Sequence, residues 1–399
     1  MLAPFATLPA NASSTIEPFN VSMPDSDLKA MLDLLSLSKV GSPTWENTQP
    51  SFGTTHSWLA GARASWLDPS AFSWRAQERW INSFPNFTLN IPLSRLSSKW
   101  KADTNYDVHF VALISQHKDA VPVVLLHGFP GSFIEYLPIL DLLGKRYTPE
   151  TLPYHIIVPP LPGYGFSGFS PEHGEASSHI EFNFDDGAEM INQLMVLLVF
   201  GRQYIAHGGD LGTLYARILA QDYSGCKAFD CGVPNTENLP VNGLFATKEP
   251  VPPHMDEYTE QRKQRLSEAH DFFKTGFGVG EKFRDWTDSP LPLATILTNV
   301  TLYWLTDTYP RCIYSNRFPS SVPLPYDKPF GVSNFPHELV PAPKAWVEKT
   351  FPNLVFYKDY ERGGHFPALE EPETMLDGLE EFIAKVKLAT RDEPVENGS

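Results

Sequence analysis

In Gly208-Gly209-Asp210-Leu211-Gly212 a carboxylate stands at the tip of a glycine-rich turn, after the short apolar run Tyr204 to His207 and before a helical stretch from Thr213. A strand, a sharp turn and a helix in that order form a nucleophile elbow, and small residues around the tip relieve the crowding of a strained backbone. A carboxylate so presented attacks carbon and forms an alkyl ester. Glycine and aspartate also make ordinary surface turns, so this motif takes its meaning from the residues that accompany it.

Such an ester must be hydrolysed, which calls for amides to hold an oxyanion, a base to activate water, and an acid to orient the base. His127-Gly-Phe-Pro-Gly131 follows the first core strand, where a loop amide can meet the amide after the nucleophile. The donors expected there are the backbone N–H groups of Phe129 and Leu211, although a plain strand-to-helix turn reads similarly. His127 and Pro130 of this loop are expected to contact substrate. Gly363-Gly-His365-Phe-Pro follows the last strand and supplies the base. Glu338, in Asn334-Phe-Pro-His-Glu338-Leu, completes the chain order nucleophile, acid, histidine, with Asp359 as the alternative carboxylate at a strand exit.

These segments need a frame to bring them together. Periodicity predicts strands at Val121 to Leu126, Tyr154 to Val158, Tyr204 to His207, Lys227 to Cys231 and Asn353 to Tyr357, and helices from Phe133 to about Lys145, Asp185 to Phe200, Thr213 to Ala220 and Glu373 to Leu388. Strands alternating with helices imply a parallel sheet covered on both faces. Before it, residues 1–115 are rich in tryptophan and polar turns, with a helical period over Phe72 to Phe84 and strand alternation over Asp107 to Leu113. Between about 236 and 335 the rhythm breaks into proline clusters and helical segments such as Glu260 to Phe273 and Pro292 to Thr306, an insertion expected to cap the carboxyl edge of the sheet. The expected organisation is an extension over 1–115, a core over 116–235 and 336–390, a helical lid over 236–335, and a disordered tail over 391–399.

Composition bounds the partners. A formal charge of −16 and 42% hydrophobic residues in 399 fit one large α/β domain with additions, and they argue against nucleic acid or an anionic membrane. Cys226, Cys231 and Cys312 are too scattered for a disulfide framework or a zinc site, so no metal is expected. A reducing, cytoplasmic location is expected, since the N-terminus lacks the pattern of a secretory signal and no stretch reaches the roughly 20 apolar residues of a membrane span. The N-x-[ST] matches at Asn11, Asn20, Asn86 and Asn299 are then coincidences. Homodimerisation stays open.

The chain resembles the microsomal, or juvenile-hormone, type of epoxide hydrolase, especially its fungal soluble members. The resemblance rests on Trp74-Arg-Ala-Gln-Glu, Asn82-Ser-Phe-Pro-Asn-Phe, His127-Gly-Phe-Pro-Gly-Ser132, Pro162-Gly-Tyr-Gly-Phe-Ser167, the elbow, Tyr303-Trp-Leu-Thr, Lys328-Pro-Phe-Gly331 and Gly363-Gly-His-Phe. It implies an α/β-hydrolase fold with an N-terminal extension and a helical lid, no cofactor, and a lipophilic epoxide and water as reactants, with a fungal role in secondary metabolism. Carried over, Asp210 is the attacking carboxylate, His365 the base, Glu338 its partner, and Tyr326 a lid tyrosine that meets the leaving oxygen.

One departure stands out. The family places a second tyrosine before the Glu281-Lys-Phe-Arg-Asp-Trp286 stretch, but no tyrosine occurs between Tyr258 and Tyr303. The lid reads as shortened there, with one ring-opening donor missing; Tyr303, expected to contact substrate, and Tyr309 are the nearby phenols. Other readings stay open: a ring-opening cyclase or isomerase with no solvent oxygen incorporated, an impaired homologue, or a binding module on a retained fold. A haloalkane dehalogenase would want a halide donor such as tryptophan after the nucleophile, where Leu211 sits.

Overall fold

A computed structural model describes residues 4–49, 53–100, 104–169, 182–232, 290–315, 327–338 and 344–389. Among them, ten strands form one sheet. The parallel part contains β4 (Val121–Leu126), β5 (Tyr154–Val158), β7 (Tyr204–Gly208), β8 (Cys226–Cys231), β9 (Phe330–Asn334) and β10 (Leu354–Asp359). In space it runs β5, β4, β7, β8, β9, β10, every neighbouring pair parallel. The amino-terminal residues extend this sheet rather than standing apart. β3 (Asn105–Leu113) pairs antiparallel with β5, and β2 (Asn86–Pro92) pairs antiparallel with β3 over its whole length. Two short strands, β1 (Glu17–Pro18) on β2 and β6 (Gly168–Phe169) on β3, complete the edge.

The central strands read as unbroken apolar runs because both faces are covered. Successive side chains point to opposite faces, and in β4 they separate cleanly. Val124 and Leu126 join a core with helices α5 (Phe184–Leu197) and α6 (Leu211–Asp222), built from Ile191, Leu194, Tyr215 and Leu219. Val123 and Leu125 join an opposite core with α4 (Leu137–Arg146) and α11 (Pro372–Ala389), built from Ile139, Leu143, Phe382 and Ile383. Each fully buried aliphatic side chain contributes about 1.5–3 kcal/mol to this arrangement.

Helices α1 (Asp25–Leu37), α2 (His56–Leu67) and α3 (Trp74–Ile81) lie between β1 and β2 in the chain. They pack on α7 (Leu293–Leu305), and the indole N–H of Trp66 donates to Thr301 at 2.9 Å. After α7 come α8 (Thr308–Ser315), α9 (Lys344–Thr350) between β9 and β10, and α10 (Pro367–Glu370) before α11.

One expectation needs correcting. The sheet does not resume at Asn353: β9 already enters it at Phe330, between β8 and β10. Gly331, Ser333 and Asn334 hid it, because a five-residue strand with three small or polar members has no apolar run to betray it. The proposed helix Glu260 to Phe273 and the tail 391–399 lie outside the described residues.

Candidate active site

The elbow is built by close packing. A Cβ at Gly208 would strike the backbone of Gly212, and one at Gly212 would strike the carbonyl of Leu126 on β4. Only glycine lets the turn fold back this tightly. Asp210 itself takes φ 48° and ψ −120°, a strained conformation for a residue with a side chain. The turn is pinned where Gly209 N–H donates to Leu126 O at 3.1 Å and the Thr213 hydroxyl donates to Gly208 O at 2.9 Å.

The strain aims the carboxylate at two partners. Asp210 Oδ1 accepts from the Phe129 amide at 2.8 Å, and the Leu211 amide also hydrogen-bonds the carboxylate. Oδ2 lies 3.3 Å from Nε2 of His365. Behind the imidazole, Nδ1–H donates to Glu338 Oε1 at 2.6 Å. The loops carrying acid and base are held side by side by a bridge between His337 and Gly364, in which His337 N–H donates to Gly363 O at 3.2 Å. The sequence-derived residues Asp210, His365, Glu338, Phe129 and Leu211 thus meet at one place. Asp359 does not: it accepts from Asn334 at 2.6 Å and from Tyr357 at 3.1 Å.

Electrostatics follow from this geometry. Burial tends to lower the His365 pKa, but the charge of Glu338 and the hydrogen bonds to Asp210 and Glu338 outweigh it and hold the imidazole well above its ordinary value. For Asp210 burial works to raise the pKa, while the hydrogen bond and charge of His365, with the two amides, bring it below the usual carboxylate range. The resting site therefore holds a carboxylate and an imidazolium that stabilise each other.

His127 plays a different part from the one expected. It is fully buried beneath the loop, where Nε2 accepts from Leu161 N–H at 2.9 Å and Nδ1–H donates to Gly128 O at 3.0 Å. Burial pushes its pKa to about 4, so the ring is neutral and fixes the loop instead of touching substrate. Pro130 and Tyr303 do border open space. They line a cavity of about 970 Å³ together with Gly131, Trp304, Phe366 and Leu369. Asp210 is not among its lining residues; Pro130, Gly131 and Phe366 are, each within two residues in sequence of Phe129 or His365. Tyr303 donates to Gly131 O at 2.8 Å, so its hydroxyl hydrogen is engaged by the oxyanion loop. Nearby, Ser132 donates to Asn299 at 2.6 Å, a second tie between α7 and that loop. Tyr326 lies outside the described residues, as does the Glu281 to Trp286 stretch.

A further carboxyl, Glu135, stands close behind the loop. In sequence it reads as an exposed charge on a helix, yet Phe133, Ile134, Tyr136 and Leu137 surround it with bulky apolar groups, and that was the available signal. Among the described residues no cluster of His, Cys, Asp and Glu suited to a metal ion occurs, and no helix is long and apolar enough to cross a membrane.

Comparisons with known proteins point to one family. The family model described as the epoxide hydrolase N terminus matches residues 16–136, and that of the alpha/beta hydrolase fold matches residues 121–274. A putative epoxide hydrolase of Dothistroma septosporum is 35% identical, over 98% of this chain and 95% of that protein. Epoxide hydrolase 1 of Sus scrofa is 26% identical, over 94% of this chain and 90% of that protein. Among solved structures, the Aspergillus niger epoxide hydrolase superimposes with a TM-score of 0.81 at 37% identity, covering 96% of this chain and 100% of that one.

Proposed function

Since the chain belongs to the epoxide hydrolase family and carries the α/β-hydrolase fold, we propose that it opens a lipophilic epoxide to a vicinal diol through an ester on Asp210. The observation that carries this reading is the position of one carboxylate between two oxyanion donors and an imidazole 3.3 Å away.

In the first step Oδ2 of Asp210 attacks a ring carbon, the C–O bond breaks, and the released oxygen takes a proton. Oδ1, already on the Phe129 amide, becomes the ester carbonyl oxygen, with the Leu211 amide as the second donor to the group. Tyr326 is proposed as the phenol that meets the leaving oxygen, on the strength of the sequence resemblance. In the second step His365 takes a proton from water, the hydroxide adds to the ester carbon, and the oxyanion develops on Oδ1 against the two amides. Collapse releases the diol and restores the carboxylate, with an oxygen from water left in Asp210.

The charge pair makes the order of events self-consistent. An imidazolium cannot serve as base, but alkylation removes the Asp210 charge that helps hold the proton on His365. The proton can then leave, by way of the phenol or solvent, to the released oxygen, and the base becomes free when the ester needs it.

Trp58, Ile296, Val300, Trp304 and Phe366 give the cavity an apolar wall, which supports a lipophilic substrate. A cytoplasmic setting is part of the same proposal, supported by the buried thiols of Cys226, Cys231 and Cys312. Screening lipophilic epoxides for a mass gain of one water, with Asp210→Asn as control, tests the function. A diol formed by the wild type and not by the variant is expected; equal turnover by both overturns the proposal.

A further inference from the structure

Glu135 brings a third carboxyl to the triad. It sits on the 3-10 turn Phe133–Tyr136 just after the oxyanion loop, only 4% exposed, with buried Phe133, Ile134 and Tyr136 beside it. A Cβ at Gly131 would come 2.8 Å from its Oε2, and one at Gly209 would come 3.9 Å from its Oε1. The carboxyl is therefore wedged between the oxyanion loop and the residue before the nucleophile. The Gly128 backbone N–H lies close enough to favour its charged form, one residue before the Phe129 amide that holds Asp210.

Resting on the ester mechanism above, we propose that Glu135 is a positioning residue of ester hydrolysis: by gripping Gly128 from behind, its carboxyl sets where the Phe129 amide meets the oxyanion of Asp210. Its state of charge then matters. The groups whose charge it feels are His365 on the base loop, Asp210 on the elbow and Glu370 on α10; Tyr303 of α7 and Tyr136 of its own turn in turn feel Glu135. Burial pushes its pKa up to about 8, against the opposing pull of His365, with Asp210 and Glu370 adding to the rise. Alkylation of Asp210 removes the anion and the imidazolium together, so burial stays the main cause in the ester.

Below that value Glu135 is a neutral acid whose carbonyl still accepts from Gly128. Above it, an anion stands near the oxyanion that the tetrahedral intermediate places on Oδ1, and the two like charges repel. Ester formation moves negative charge away from Asp210 and meets no such opposition. The two half-reactions thus respond differently to one proton.

Rapid-quench kinetics with styrene oxide, reading the ester on the intact protein by mass from pH 6 to 9.5, tests this. In the wild type, ester decay should fall about tenfold as pH rises through a midpoint near 8. Glu135→Gln keeps an acceptor for Gly128 but cannot ionise, and its decay should stay within about threefold of the pH 7 wild-type rate across the range. Glu135→Ala should slow decay at pH 7 by about 10- to 100-fold, with formation changed less than about threefold. An unchanged alkaline limb in Glu135→Gln, or equal slowing of both steps in Glu135→Ala, overturns the proposal. No ester in the wild type would overturn the hydrolase mechanism itself, and the role of Glu135 with it.

Discussion

The carboxylate of Asp210 faces the imidazole of His365 with Oδ2 and Nε2 3.3 Å apart, while its Oδ1 stays on the Phe129 amide. One side chain thus divides attack and oxyanion binding between its two oxygens. The Asp210 side chain is 28% accessible and that of His365 only 1%. The carboxylate is thus the more open member of the pair and the imidazole the enclosed one.

Removing the base should therefore stop the reaction midway. His365→Gln is expected to form the ester and fail to hydrolyse it, with turnover reduced by at least about 10³-fold. Intact mass after exposure to a substrate epoxide should rise by the mass of one substrate molecule, mapped to the peptide that contains Asp210. A variant that turns over freely would exclude His365 as the base.

The two carboxylates that compete in sequence separate in space. Glu338 accepts from His365 at 2.6 Å, whereas Asp359 is taken up by Asn334 and Tyr357. Glu338→Gln should lower steady-state turnover on the order of 10²- to 10⁴-fold, and Asp359→Asn less than about threefold. Comparable losses in the two would show that the acid is misassigned.

The imidazolium of the resting site should be visible by titration. Glu338 and Asp210 raise the His365 pKa above its ordinary 6.5 despite burial, so Asp210→Asn should move the NMR midpoint of this ring to lower pH. Because the folded value is the higher one, the charged ring stabilises the fold fully below 6.5, and this contribution is lost as pH rises through the folded value. The acid limb of ester decay should lie below the midpoint of the resting enzyme, since the ester no longer carries the Asp210 charge. A limb at or above that midpoint would contradict the proton sequence.

Helix α7 ties the oxyanion loop at two points, Tyr303 on Gly131 O and Asn299 on Ser132. Loss of one such bond costs about 0.5–1.5 kcal/mol. Tyr303→Phe should accordingly lower kcat/KM about 3- to 10-fold with the thermal melt little changed. A loss above about 10³-fold would mean that this phenol takes part in ring opening.

Much of this site was legible because its parts are punctuated in the chain. Leu126 and Gly208 stand at or beside changes from apolar strand to glycine, and the strands end there. Glu338 could be chosen over Asp359 by its place after the lid and before the last strands, but only the bridge between His337 and Gly364 explains why it reaches His365. Strand β9 was hidden by Gly331, Ser333 and Asn334, whose burial depends on neighbours on both sides. His127 was misread for the opposite reason: its motif marks the loop correctly, but burial turns the ring inward. Glu135 escaped notice since an acid in a helical stretch ordinarily faces water.

The most direct test is a single turnover in heavy-oxygen water with enzyme in excess. Attack by Asp210 followed by hydrolysis of its ester predicts one heavy oxygen in the peptide containing Asp210 and none in the first-formed diol. Label in the diol and none in the enzyme would show that water opens the ring directly, and the ester on Asp210 would have to be abandoned.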